Sequence, residues 1–374
     1  MDTEASNGRR PAPAGVRDGT TSLRDHRHIT PLALVLTLSC GLALPGCSFV
    51  PNGDSSGDTD GYAEGPPLES ERREQRRPGT RQERADAAME RAAEMRTGSP
   101  EAALAEFERA IELNPTMTVA YLGAGDIYRE RGDYALAENR YGAAARLEPR
   151  NFDAQYNHGL VLQLLDRVTE SIRAYLRALS IREDDFNANL NLATAYLQLG
   201  EPTQARPFAE RAVRLDPNSG PARANLGSVY AALGEHGVAV IEYQQAAERM
   251  KLTPELLLNL ADALGQTERY EEMAATLDQL IRLEPSAVAY ERLGAARFRL
   301  RQYDAALEAF QSATELDPSH YPAWNGVGVC LLNRFVWSGK QDRDAQREAV
   351  GALRRSLRIE PGQTKIVELV RRYG

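Results

Sequence analysis

Four asparagines recur along this chain at steps of 34 residues: Asn157, Asn191, Asn225 and Asn259. A carboxamide carries both a donor and an acceptor, which makes it the complement of one peptide unit. A row of carboxamides therefore suits the holding of an extended polypeptide, largely without regard to its side chains. That is recognition chemistry and forms no bonds. The residue types that catalysis draws on are scattered. The five histidines are His26, His28, His158, His236 and His320, and no pair has a zinc-binding spacing such as H-x3-H or C-x2-C. No glycine-rich phosphate loop follows a strand-like run. The sequence is thus read as having no catalytic residues, no metal site and no cofactor. His158 reads as a tolerated core residue.

The elements that position the asparagines are announced by proline. Pro115, Pro149, Pro217, Pro285, Pro318 and Pro361 close successive segments, with Glu183 and Lys251 standing where two further prolines would fall. A period near 34 residues is that of stacked helical hairpins, each hairpin unable to bury its apolar face alone. Small residues at 125, 159, 193, 227, 261, 294 and 328 lie on the first helix of each pair. They are expected to face Ala137, Ser171, Ala205, Ala239, Met273, Ala306 and Ala349 on the second. Such pairs let two helices approach closely, and Tyr and Phe are expected to fill the groove to the next hairpin.

One segment runs Tyr121, Gly125, Tyr128, Gly132, Ala137, Tyr141, Ala144, Pro149, and another runs Leu226, Gly227, Tyr230, Gly234, Ala239, Tyr243, Ala246. These residues resemble the tetratricopeptide repeat, whose pattern is W-x2-L-G-x2-Y…A-x3-F…P. The resemblance implies an all-α fold: a right-handed superhelix, or α-solenoid, of about eight helical hairpins over residues 84–361. Residues 362–374 are expected to add a capping helix, since Ile366, Leu369, Val370 and Tyr373 share one face. In this family the asparagine position faces the concave groove, so Asn157, Asn191, Asn225 and Asn259 are expected there, exposed, with Tyr156, Leu190 and Leu258 beside them. The column is similar to the asparagine ladder in the repeats of O-linked N-acetylglucosamine transferases. It either grips a peptide or merely solvates the groove. The mixed flanking residues, Asp153 and Glu255 among them, favour a partly apolar ligand with some basic character.

Departures from the pattern carry their own expectations. Arg91 and Glu94 replace Gly and Tyr in the first repeat, as befits a solvent-facing end. Thr253-Pro254 reads as an N-cap and first helical residue. Pro207 falls within a second helix, where a bend or late start is expected. The last repeat has nine extra residues, placing Phe335 and Trp337 in what should be a tight turn. These two aromatics either form an interface or fold back under the cap.

Residues 1–83 show no repeat. Arg24 and Arg27 precede an apolar run from Leu32 to Leu44, followed by Leu44-Pro45-Gly46-Cys47. The run is too short to span a bilayer and reads as a secretory signal over residues 1–46. It is similar to the bacterial lipoprotein signal, which implies lipidation at Cys47, palmitate included, or else an ordinary cleaved signal or uncleaved anchor. Ser48 after the cysteine implies an outer-membrane lipoprotein facing the periplasm. Residues 47–83 are polar and Gly/Pro-rich, the composition of a tether. Cys330 reads as a buried apolar residue. With 45 Lys and Arg against 53 Asp and Glu, the chain is acidic, which argues against nucleic acid and leaves the lipid as the only membrane contact. The expected function is a membrane-anchored scaffold or adaptor of the bacterial cell envelope that binds a partner protein or extended peptide in its groove. A self-assembling part of an envelope, secretion or pilus complex is the alternative, followed by an accessory subunit of a cell-wall or glycosyl-transfer enzyme.

Overall fold

The structure, a computed structural model, describes residues 79–374. The signal, Cys47 and most of the tether lie outside the described residues. Within them the chain forms seventeen helices and no strand. They pair as α1 (Arg81–Met95) with α2 (Pro100–Leu113), α3 (Thr118–Glu130) with α4 (Tyr134–Leu147), and α5 (Phe152–Leu164) with α6 (Val168–Ile181). Then come α7 (Phe186–Gln198) with α8 (Pro202–Leu215), α9 (Gly220–Ala232) with α10 (His236–Arg249), and α11 (Pro254–Gln266) with α12 (Tyr270–Leu283). The last pairs are α13 (Ala287–Arg299) with α14 (Tyr303–Leu316) and α15 (Tyr321–Trp337) with α16 (Arg343–Ile359), and α17 (Thr364–Tyr373) follows. Eight hairpins and a cap form the helical solenoid that the period predicts.

Local chemistry starts the first helices. Asn151, Asp185, Ser219, Thr253 and Ser286 each accept a backbone N–H three residues on, at 2.8–3.3 Å. Each such cap contributes about 1 kcal/mol. The turn inside each of hairpins two to seven has one residue in the left-handed region. Gly132, Gly200 and Gly234 supply it without strain, whereas Asp166, Glu268 and Arg301 take the same conformation with a side chain present.

The glycines of the first helices do not chiefly face the small residues of the second. A Cβ on Gly125, Gly159, Gly227 or Gly294 would come within 2.9 Å of the ring of Tyr141, Tyr175, Tyr243 or Phe310 on its own hairpin. The small residue thus makes a slot for an aromatic of the same pair. Phe107 and Phe310 also reach forward, since a Cβ on Gly123 or Gly326 of the following hairpin would strike their rings. Ala137, Ala205, Ala239, Ala306 and Ala349 are nonetheless fully buried.

A late start at Pro207 and a turn around Phe335 and Trp337 both need correction. Helix α8 is continuous from Pro202 through Pro207, with no late start. Pro207 lies on the exposed side of the helix, where the carbonyl it leaves unpaired can be hydrated. The nine extra residues do not make a large turn. Seven lengthen α15 and α16 to 17 residues each, and two enter the turn between them. Phe335 is therefore helical and 2% exposed, packed edge-on to Tyr373 of the cap. Trp337, at the end of the same helix, is 73% exposed, its ring set edge-on to Tyr303. The cap lies over this core through Ile366, Leu369, Val370 and Tyr373.

Candidate functional site: the inner wall

The two kinds of helix play different parts in the stack. First helices of successive hairpins pack against each other, α3 on α5, α5 on α7, α7 on α9, α9 on α11 and α13 on α15. No pair of successive second helices packs as closely. The first helices therefore line the inside of the curve, and their groove positions form its inner wall.

Asparagine carboxamides cross the seams of that wall. Asn191 Nδ2 donates to the Tyr156 hydroxyl at 3.1 Å, and Asn225 Nδ2 donates to Thr194 Oγ1 at 2.8 Å. Thr194 in turn donates to Leu190 O at 3.0 Å, so its hydroxyl is used in both directions. Burial pushes the Tyr156 phenol up to about 12, with the Asp185 charge acting in the same sense. The expectation that the asparagines stand exposed fails at Asn225, which is 7% exposed. Adjacent first helices pack closely enough there for the side chain to span the seam. Its Oδ1 is buried without a donor, and Asn259 Nδ2 is buried without an acceptor. Asn157, Tyr156, Leu190 and Leu258 are all half-buried on the same wall.

Sequence reasoning missed a third seam bond. Tyr175 donates to Gln163 Oε1 at 3.0 Å, and Gln163 Nε2 donates to Gln198 Oε1 at 2.8 Å, joining α5 to α7. Its signal was a carboxamide at neighbouring groove positions of two successive repeats.

Beyond Asn259 the column breaks. Its next place in register is Arg292, which pairs with Asp262 at 2.7 Å. Helices α11 and α13 do not pack as their counterparts do, and a depression of about 410 Å³ opens between hairpins six, seven and eight. Glu291, Asn325, Phe298 and Phe310 line it. Glu291 and Asn325 hold the register of Leu190 and Leu258, so the column turns from apolar to polar there, with a charge at Glu291. That change is the signal that could have found the pocket.

Other candidate residues have structural partners. His158 Nε2 lies 3.2 Å from Glu138 Oε1, and burial holds its imidazole below the usual histidine range. Cys330 is buried, and burial pushes its thiol up to about 12. Among the described residues no cluster of His, Cys, Asp or Glu could hold a metal, and no helix is long and apolar enough to cross a membrane.

Models of the tetratricopeptide repeat match residues 92–138, 125–166, 151–218, 190–256, 254–286 and 287–320, leaving no gap between 92 and 320. Hsp70-Hsp90 organizing protein 2 of Arabidopsis thaliana is 27% identical over 36% of this chain and 24% of its own length. Type IV pilus assembly protein PilF of Pseudomonas aeruginosa is 29% identical over 42% of this chain and 64% of its own. The chain thus matches about a quarter of the first relative and just under two thirds of the second. The solved C-terminal part of a TPR repeat-containing protein of Cytophaga hutchinsonii overlays 67% of this chain and 99% of that one, with a TM-score of 0.53 at 12% identity. By motif and by three-dimensional arrangement alike, residues 92–320 of this chain are tetratricopeptide repeats.

Proposed function

We propose that the protein is an interaction scaffold that holds an extended polypeptide along the inner wall of its solenoid. The observation that carries this reading is the wall itself. The first helices of hairpins three, four and six present half-buried Tyr156, Leu190 and Leu258 beside polar carboxamides, with the small, buried Ala224 at the same register in hairpin five. Such a surface gives apolar contact and backbone hydrogen bonding at regular intervals, and a pre-stacked frame loses little entropy on binding. The relatives with comparable repeats bear names of organizing and assembly proteins, which agrees with a binding role. On this reading the asparagines contribute mainly where no seam bond takes them up and the side chain is half-exposed, as at Asn157.

The N-terminal segment supplies the anchor in this proposal: acylation at Cys47, then a tether that carries the solenoid in the cell envelope. A Cys47→Ser variant of the full chain should lose palmitate labelling and leave the membrane fraction. Label retained on the variant would contradict the anchor. For the groove, the test is recovery of the partner with tagged full-length protein. Leu190→Asp combined with Leu258→Asp should lower recovery more than tenfold while helicity is unchanged, and undiminished recovery would rule out the inner wall.

A further inference from the structure

The depression between hairpins six, seven and eight has chemistry that the rest of the wall lacks. Its sides are apolar: Phe298, Ala295, Val329 and Met273 line it, over a floor formed by Phe310. The floor is closely fitted, since a Cβ on Gly326 would meet the Phe310 ring at 2.3 Å. The volume of about 410 Å³ lies within the range of sites that enclose ligand groups.

Its polar groups are unevenly satisfied. Asp262 and Arg292 are taken up with each other at 2.7 Å. Arg299 is drawn aside over the Tyr270 ring, 5.5 Å from its centre. Asn325 donates its Nδ2 to Gln363 Oε1 at 2.6 Å, which leaves Oδ1 buried with no donor. Glu291 makes no hydrogen bond or ion pair with any described residue. The lining thus holds one buried acceptor without a donor, Asn325 Oδ1, and one half-buried carboxylate without a protein partner, Glu291. A buried acceptor left so costs free energy that a matching donor would recover.

We propose that this depression is a subsite for a basic side chain of the bound polypeptide, with the ammonium or guanidinium tip taken by the Glu291 carboxylate and Asn325 Oδ1. The stem lies along Phe298, Ala295 and Val329. The inference rests on the inner wall being the polypeptide-binding surface. Charge complementarity favours a cation: an anionic side chain would face Glu291, and Arg292 is already neutralised by Asp262. The acidic balance of the chain, 45 basic against 53 acidic residues, has the matching sign. Burial raises the Glu291 carboxyl above its usual range, with Arg292 opposing and Asp262 adding to the rise. A cation in contact would reverse that shift.

The test needs no natural partner. Nα-acetyl-lysine N-methylamide and the arginine, norleucine and glutamate counterparts are titrated into full-length protein carrying 13C-methyl methionine. Met273 lines the depression, and its resonance among six methionines is assigned with Met273→Leu. The lysine and arginine probes should shift it saturably, with the norleucine probe at least about tenfold weaker. Glu291→Gln should erase that preference, since about 1.4 kcal/mol of charge-assisted hydrogen bonding corresponds to tenfold. Asn325→Ala should reduce it in part, and an unchanged melting curve shows each variant folded. Equal binding of norleucine, a preference for glutamate, or no saturable shift with any probe would overturn the subsite. Because these probes bypass the partner, their failure beside intact partner recovery removes only the subsite and leaves the groove reading in place.

Discussion

Two stretches of the same inner wall solve the same stacking problem differently. From hairpin three to hairpin five the seams between first helices are closed by side-chain bonds: Asn191 to Tyr156, Asn225 to Thr194 and Gln163 to Gln198. From hairpin six to hairpin eight the asparagine column gives way to Arg292, α11 and α13 do not pack closely, and a depression opens around Glu291. The first stretch uses its polar groups to hold the frame together. The second sets a carboxylate with no protein partner, Glu291, in the lining of an open depression, where a ligand can reach it. In a repeat protein, equivalent sequence positions need not do equivalent work, because each acts through its distance to the next repeat.

The comparison is most severely tested at Phe310, which supports the floor of the depression and bridges hairpins seven and eight. Phe310→Ala should cost about 3–5 kcal/mol in chemical denaturation, as a buried aromatic does. A loss below about 1 kcal/mol would show that the two hairpins do not depend on it.

A matched pair sharpens the contrast. Asn225→Ala removes a seam bond and should cost about 1–2 kcal/mol, whereas Asn259→Ala, whose Nδ2 has no acceptor, should change stability by less than about 0.5 kcal/mol. Equal costs in urea melts would mean that the seam bond is not what distinguishes the two stretches.

A smaller effect is expected in the turns, which the two stretches share. Arg301 adopts a φ of 62° where hairpins two, four and five place glycine. Arg301→Gly should raise stability by about 0.5–1 kcal/mol, relief of the left-handed strain being partly offset by chain entropy. A destabilised variant would show that the Arg301 side chain has a role of its own.

Finally, Glu291 should leave a pH signature absent from the other stretch. Its carboxyl is raised above its ordinary value near 4.5, so the folded chain holds this proton more tightly than the unfolded one. The group's contribution to stability is therefore most favourable at low pH and declines as pH rises through the raised pKa. Glu291→Gln should remove that decline, so the variant gains on the parent as pH rises from the ordinary carboxylate range through the raised pKa. Parallel pH profiles would show that burial does not raise the Glu291 carboxyl.

Much of this was legible in the sequence, for identifiable reasons. The prolines and small residues fix the period, and the period fixes eight hairpins. Ile366, Leu369, Val370 and Tyr373 mark the cap by spacing alone, and Thr253-Pro254 marks a helix start that the structure bears out. Local rules suffice for these. What depended on the pitch of the stack was not legible. Whether a carboxamide at Asn225 meets solvent or the Thr194 hydroxyl depends on the separation of two helices, which no 34-residue window encodes. The same holds for the gap beside Glu291, and for Phe335 and Trp337, which lie two places apart on one helix yet are 2% and 73% exposed. Only Glu291 left a trace in the sequence, as a charge in a column of Leu190 and Leu258.

The central claim is that the inner wall is the working surface. It is tested most directly by photoreactive residues placed singly in the full-length protein in cells, at Leu190 and Leu258 on first helices, and at Leu176 and Ile241 on exposed faces of second helices. The account predicts one polypeptide crosslinked from both inner positions and from neither outer one. Crosslinks from Leu176 and Ile241 with none from Leu190 and Leu258 would contradict it.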